Sequence, residues 1–380
     1  MQPLFWILLF AAAYSYFVYP ALLWLLCRGR REVPVVDSTL PAEWPSMSLI
    51  VTAYNEEARI REKIENTLAI DYPRAALEVI VASDCSSDAT ESIAGQYASH
   101  GVRVVRATER LGKENAQLTA LREARGEILV FSDVATQIPA DALRRLAKYF
   151  ATPRVGAVSS EDRFVGSDGV VAGEGAYVRY EMWLRRMESR VAGLVGLSGS
   201  FFAARKSICE LWDILSPSDF NTALNCARAG KRAVTSPDVT GYYKDLADPR
   251  KEYQRKVRTV LRGITAIARH PDVLNPFRFG LFAWQVWSHK IMRWLVPYFL
   301  VALFAVSLPL ASQGGIYLAA LVAQLAFYAV ALLAHFSGSV RKHALPKLIY
   351  FFVQVNISLA DASVRFLSGQ RMATWQPSAR

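Results

Sequence analysis

Histidine and cysteine are scarce in this 380-residue chain, with five of the first and four of the second. Cys27, Cys85, Cys209 and Cys226 lie far apart and make no CxxC and no zinc spacing, so the thiols read as free in a reducing compartment. The scattered histidines argue against a histidine-built metal centre. No GxGxxG follows the first strand-like run, which argues against a dinucleotide-dependent oxidoreductase. No basic residue precedes the first apolar run, the wrong polarity for a cleavable signal peptide. Acids are outnumbered, 33 Asp and Glu against 44 Lys and Arg, giving a net charge of +11. The basic residues do not cluster on one polar domain with interleaved aromatics, so nucleic acid is set aside as a partner. The positive-inside bias of a membrane protein explains the excess better.

Apolar sequence is what the chain has in abundance. Hydrophobic residues make up 52% of it, and mean hydropathy is +0.17, too apolar for an ordinary soluble protein of this length. Pro3 to Cys27 is one apolar run, long enough for a membrane-spanning helix, and Arg28, Arg30 and Arg31 follow it directly. It reads as an uncleaved anchor with its N-terminus outside and the next domain in the cytoplasm. Trp294 to Ser312 and Ile316 to Phe336 are also apolar enough to span. Arg341, Lys342, His343 and Lys347 then place the following stretch in the cytoplasm, which suits two crossings, out and back. Leu348 to Ala360 is shorter and holds Gln354 and Asn356, so spanning and interfacial placements both stay open. The expected division is an anchor at 1–31, a linker at 32–45, a cytoplasmic domain at 46–270, an interfacial segment at 271–293, membrane helices at 294–367 and a tail at 368–380.

Between the membrane segments, strand-like runs alternate with helical patterns. Met47–Ala53 is an apolar strand ending in Tyr54-Asn55-Glu56-Glu57, and Ala58 to Ala69 has helical spacing. Leu77–Ala82 ends in Asp84-Cys85-Ser86-Ser87-Asp88. Val102–Arg106 is a third strand, and Gly112-Lys113 opens a helix to about Ala124. Ile128 to Phe131 is a fourth, with Asp133 just past its carboxyl end. This alternation implies βαβ units and a parallel sheet. Ligands of such sheets bind at the carboxyl ends of the strands. Asp133 there suits a divalent cation held against a phosphorylated substrate, or a cap for a helix starting near Pro139. Asp84 suits a base or ribose, while Ser87 or Asp88 suits a helix cap. Gly199, within Gly196-Leu197-Ser198-Gly199-Ser200, lets a backbone approach a ligand closely. Asp219, opening a helix after Ser218, is either an N-cap or a general base. The basic helix around Arg255, Lys256 and Arg258 suits either an anionic membrane face or a diphosphate leaving group.

Taken in order, these motifs resemble the membrane-anchored family 2 glycosyltransferases, the group that includes cellulose synthase-like and hyaluronan synthase-like enzymes. The resemblance covers about 46–263. It implies a Rossmann-like, GT-A type α/β domain with a mostly parallel sheet, flanked by α-helical membrane segments. It implies that Tyr54, Asn55, Glu56, Glu57 and Asp84 hold the nucleoside of a nucleotide-sugar, with a UDP-sugar the expected donor. It assigns Lys113, Gly199, Arg255 and Arg258 to substrate binding, with Arg258 on the diphosphate. Asp133 becomes the first acid of a DxD motif, holding Mg2+ or Mn2+, and Asp219 the catalytic base. The chain departs from the pattern at Ala135, where the second DxD acid is expected, and at Ser218, where a Glu is usual. Arg255 and Thr259 replace a Gln and a Trp. The implied activity is inverting transfer of one sugar to a hydroxyl of a glycan or glycolipid acceptor near the lipid bilayer, in cell-envelope glycan synthesis. The alternatives are transfer to a polyprenyl phosphate, or an inactive membrane scaffold or sugar-nucleotide sensor.

Overall fold

The computed structural model describes residues 1–30, 43–165, 176–244 and 249–371. Most of the expected linker at 32–45 and most of the tail at 368–380 lie outside the described residues. The chain divides into two compact units, one of residues 1–22, 248–264 and 284–371, the other of residues 23–247, 265–283 and 372–380.

The second unit is built on a seven-stranded sheet. Its strands are β1 (Met47–Ala53), β2 (Leu77–Ser83), β3 (Val102–Arg106), β4 (Ile128–Asp133), β5 (Val155–Val165), β6 (Phe201–Arg205) and β7 (Arg232–Lys244), in the spatial order β3-β2-β1-β4-β6-β5-β7. The first four pair in parallel, and β6 runs antiparallel to both β4 and β5. All seven residues of β1 are buried, as a strand covered on both faces requires. Successive residues serve opposite faces: Leu49 packs with Val130, Leu143 and Phe201, and Ile50 with Ile80, Phe131 and Phe202. Gly126 leads into β4 so close to β1 that a Cβ there would lie 2.4 Å from the Ser48 amide nitrogen. The register sets Thr52 beside Asp133 and Ala53 beside Ser83. The carboxyl ends of β1, β2 and β4 therefore form one edge, with Tyr54, Asp84 and Asp133 along it.

Three of the seven strands escape the pattern of alternating runs. β5 buries Ser159, Ser160 and Glu161, so it does not read as apolar. β7 carries Pro237 and Asp238, and its pairing with β5 shifts register after Ser160. Phe201–Arg205 is apolar, but it runs antiparallel to both neighbours and so closes no βαβ unit.

The helices needed below are α1 (Gln2–Cys27, with a π-helical turn at Tyr14–Val18), α2 (Ile60–Leu68), α3 (Thr90–Gly95), α4 (Lys113–Glu123), α5 (Ala142–Phe150), α6 (Ala176–Val191), α7 (Ser218–Arg228), α8 (Pro249–Arg269), α9 (Leu281–Leu310), α10 (Gly315–Phe336) and α11 (Ala344–Leu367). Among the described residues, α1, α9 and α10 are long and apolar enough to cross a membrane. The α9 helix starts well ahead of Trp294, because His289, Lys290 and Arg293 sit within it across a π-helical turn at Trp287–Ile291 rather than outside it. Phe5 of α1 packs with Leu303, Leu310 and Tyr317. α11 takes up residues 348–360 and is not apolar enough to span. Its Asp361 accepts from the Tyr253 hydroxyl at 3.1 Å, and its Ala362 packs on Val257 and Leu261 of α8. The far end of α8 belongs to the other unit. There Asp213 binds Arg269 through both oxygens, at 2.7 and 3.1 Å, and His270 at 3.0 Å.

Candidate active site

Two loops at the strand edge are braced on each other. The Asn55 carboxamide accepts from the Ser87 amide at 2.8 Å and donates to the Ser87 hydroxyl at 3.2 Å. The Glu57 amide donates to Asp88 at 3.1 Å, and the Ala89 amide donates back to the Glu57 carboxylate at 3.0 Å. The Glu56 amide donates to the Thr90 hydroxyl at 2.7 Å, and its carboxylate pairs with Arg59. Asp88 also accepts from the Thr90 amide at 3.0 Å, so it turns the chain into α3. Of the four residues at 54–57, Asn55 and Glu57 thus spend their side chains shaping the site. Asn55 (φ 53°) and Cys85 (φ 58°) adopt left-handed backbone, uncommon outside glycine, and mark the two loops as a constrained pair.

Asp84 is fully buried. One carboxylate oxygen accepts from the Gly112 amide at 3.1 Å, and the other has no hydrogen-bond partner among the described residues. Burial pushes its carboxyl above the usual range, partly offset by the Gly112 amide and the Arg110 guanidinium. Gly112 meets this amide contact at φ 108°, a backbone angle that an L side chain would strain. The Arg110 guanidinium lies 3.9 Å over the Tyr54 ring, close enough for a cation–π contact. Arg110 carries no motif, so sequence reading passes it over.

The second cluster forms where β4, β6 and α4 meet. Asp133 is the last residue of β4, and its amide donates to the Ser200 carbonyl at 3.0 Å. The capping alternative for Asp133 does not hold, because α5 begins only at Ala142 and Asp141 precedes it. Lys113, almost buried at the first position of α4, forms an ion pair with Asp133 and donates to the Gly199 carbonyl at 2.7 Å. A Cβ on Gly199 would lie 3.4 Å from an Asp219 carboxylate oxygen, so the Asp219 carboxylate rests against Gly199. The Asp219 carbonyl accepts from the Leu197 amide at 3.3 Å. The loop 197–200 therefore touches both Asp133 and Asp219, and Lys113 ties into it.

Beneath Asp133 lies Lys63, a residue with no sequence signal beyond a helical position. It is fully buried on α2, and its ammonium donates to the Ser132 hydroxyl at 2.8 Å and the Thr136 carbonyl at 2.5 Å. Burial brings its pKa down to about 7, with the Asp133 charge pulling the other way. Glu114, the neighbour of Lys113, is 2% exposed, and its carboxylate accepts from the Ser218 amide at 3.3 Å.

Among the described residues, no three His, Cys, Asp or Glu side chains gather to hold a metal alone. The donor set still fits a Mg2+-type ion, which keeps several waters and takes one or two carboxylates plus substrate phosphates. The Asp133 carboxylate, 27% exposed at the strand end, offers one such oxygen. Arg255 and Arg258 belong to the other compact unit. They lie on the first part of α8, in the unit that holds the apolar helices. There Lys256 pairs with Glu252 at 3.0 Å and lies over the Phe351 ring.

The model of the family described as "Glycosyl transferase family 2" matches residues 48–211. A beta-monoglucosyldiacylglycerol synthase of Synechocystis sp. is 31% identical over 179 residues, which are 45% of this chain and 37% of that protein. A dolichyl-phosphate beta-glucosyltransferase of Drosophila melanogaster is 41% identical over 105 residues, 24% of this chain and 32% of that protein. The chain thus spans under two-fifths of the length of these curated relatives. Among solved structures, the mannosyltransferase PcManGT from Pyrobaculum calidifontis, in complex with GDP-Man and Mn2+, is similar at a TM-score of 0.74 and 25% identity, covering 97% of this chain and 99% of that one.

Proposed function

We propose, from the premise that residues 48–211 form a glycosyltransferase family 2 domain, that this protein moves a sugar from a nucleotide-sugar to an acceptor at the membrane. The observation that carries the reading is the meeting of Lys113, Asp133 and Asp219 on the single loop 197–200. One substrate lying there would have its diphosphate at Lys113 and its anomeric carbon near Asp219.

The donor's base sits between Tyr54 and Asp84. The unpartnered Asp84 oxygen accepts one base N–H; the other oxygen already serves Gly112. Uracil presents a single imide N–H, so a UDP-sugar is the first reading. Guanine presents two adjacent N–H donors, and the GDP-Man bound to PcManGT makes a GDP-sugar the second. Lys113 turns its ammonium to the diphosphate and adds charge where the leaving group develops it. A divalent cation held by Asp133 and the diphosphate would supply further neutralisation of that group. Asp219 takes the proton from the acceptor hydroxyl, whose oxygen attacks the anomeric carbon as the nucleoside diphosphate departs, with inversion. A positioned base of this kind contributes about 10²–10⁴-fold.

The acceptor is a lipid-linked or lipid-borne glycan. The apolar helices α1, α9 and α10 support this reading, as do relatives named for a glucosyldiacylglycerol product and for dolichyl phosphate. The domain lies on the cytoplasmic side, where Arg28, Arg30, Arg341, Lys342 and Lys347 all fall under the positive-inside bias. The test is nucleoside diphosphate release by the detergent-solubilised protein with Mn2+, over UDP- and GDP-sugars and with lipid-hydroxyl and lipid-phosphate acceptors. Release with one donor, lost in Asp133→Ala, is expected. No release from any pair, with folded protein, would overturn the reading.

A further inference from the structure

The catalytic reading places Asp219 at the second position of α7 but leaves open what fixes that helix start. An α-helix begins with amides that lack partners inside it, and a side chain normally satisfies them. Here the residue before α7 is Pro217, whose side chain accepts no hydrogen bond, and no local cap forms. The Ser218 amide instead donates to the carboxylate of Glu114, which arrives from α4, 104 positions away in sequence. A carboxylate at that end also meets the positive pole of the helix dipole.

Glu114 is itself held firmly. It is 2% exposed, and its carbonyl accepts from the Trp212 indole N–H at 2.9 Å. The Trp212 ring stacks on Phe131 at 5.1 Å, and Phe131 stacks on Phe202 at 4.8 Å. Both phenylalanines belong to the strands that lead to Asp133 and away from Ser200. The residue before Glu114 is Lys113, which binds Asp133 and the Gly199 carbonyl. Two consecutive side chains of one helix thus reach the two halves of the site, Lys113 the Asp133 end and Glu114 the Asp219 end.

We propose that Glu114 is a positioning residue for Asp219: its carboxylate fixes the first turn of α7 and so sets the carboxylate of the next residue against Gly199. This rests on the reading of Asp219 as the base. It does not require Glu114 to touch substrate. A base displaced by a fraction of its hydrogen-bond reach loses much of its effect, about 10²-fold for 1 Å.

The test compares wild type, Glu114→Ala and Glu114→Gln by steady-state kinetics, UDP and GDP affinity, melting temperature and hydrogen exchange over residues 216–222. The glutamine keeps a carbonyl oxygen for the Ser218 amide; the alanine keeps nothing. In Glu114→Ala, kcat should fall by about 10–100-fold, with donor KM and nucleotide affinity within about twofold of wild type. Exchange over 216–222 should rise. Glu114→Gln should restore kcat to within about threefold and the exchange to wild-type rates. Wild-type kcat in Glu114→Ala, or equal loss of kcat and nucleotide affinity, would overturn the proposal. So would a glutamine variant as impaired as the alanine one. If the wild-type protein transfers no sugar, the catalytic reading fails by itself. Hydrogen exchange still decides the contact in that case, and unchanged rates in Glu114→Ala would reject it.

Discussion

Asp219 and Asp133 divide the labour of the site, and single substitutions separate them. Asp219→Asn should lower turnover by about 10²–10⁴-fold and leave nucleotide affinity, measured by calorimetry, within about twofold. Asp84→Ala removes a buried acceptor rather than a catalytic group, so it should weaken nucleotide binding by about 1–3 kcal/mol in the same experiment. Lys63 gives a pH signature. Its ammonium titrates at about 7 in the folded protein and near 10.5 when exposed. Between those values the unfolded chain holds the extra proton, so stability rises with pH across that window and is flat below it. The slope reaches about 1.4 kcal/mol per pH unit at most. Melting temperatures from about pH 7 to about pH 9 should show this rise in wild type and a smaller one in Lys63→Met. The acids were legible in the sequence because each follows a strand-like run or opens a helix, where chemistry in such sheets collects. Lys63, Arg110 and Glu114 were not. Each acts across a gap of many residues, and helical spacing alone marks Lys63 and Glu114 as ordinary positions.

At the level of elements, the four parallel strands were legible because apolar runs of the right length end in turn residues. β5 and β7 were not, since buried serines, a buried glutamate and a proline mask them and the register shift between them has no local signal. The small-residue loop 197–200 gains its meaning only when antiparallel β6 brings it back beside β4. Two elements are open to direct test. Gly126→Ala places a methyl against the β1 backbone at 2.4 Å, and backbone cannot step aside, so loss of folded yield is expected in size-exclusion chromatography. Asp213 holds the far end of α8 through Arg269 and His270; burial pushes its carboxyl up, but the Arg269 guanidinium, the Leu215 amide and the Ser216 hydroxyl bring it down to about 2. Asp213→Asn should reduce stability by about 1–3 kcal/mol in thermal melts and leave nucleotide affinity unchanged.

For the molecule as a whole, composition announced the long apolar helices. With α1, α9 and α10 as the crossings, the segments after α1 and after α10 fall on one side. A reporter fused after Arg371 should therefore read cytoplasmic, and the protein should stay with membranes in alkaline carbonate. The placement of Arg255 and Arg258 in the apolar-helix unit was beyond sequence reading, because α8 is a single basic helix shared between both units. One packing contact also bears on how the protein is made. Phe5 finds Leu303, Leu310 and Tyr317 only after roughly 300 further residues have been synthesised, which at about 5–20 residues per second takes roughly 15–60 s. Within that interval the strands β1 to β7 leave the ribosome, after the first helix and before its packing partners. Its biogenesis is therefore ordered: anchor first, sheet second, and the membrane bundle closed last by the final helices to leave the ribosome.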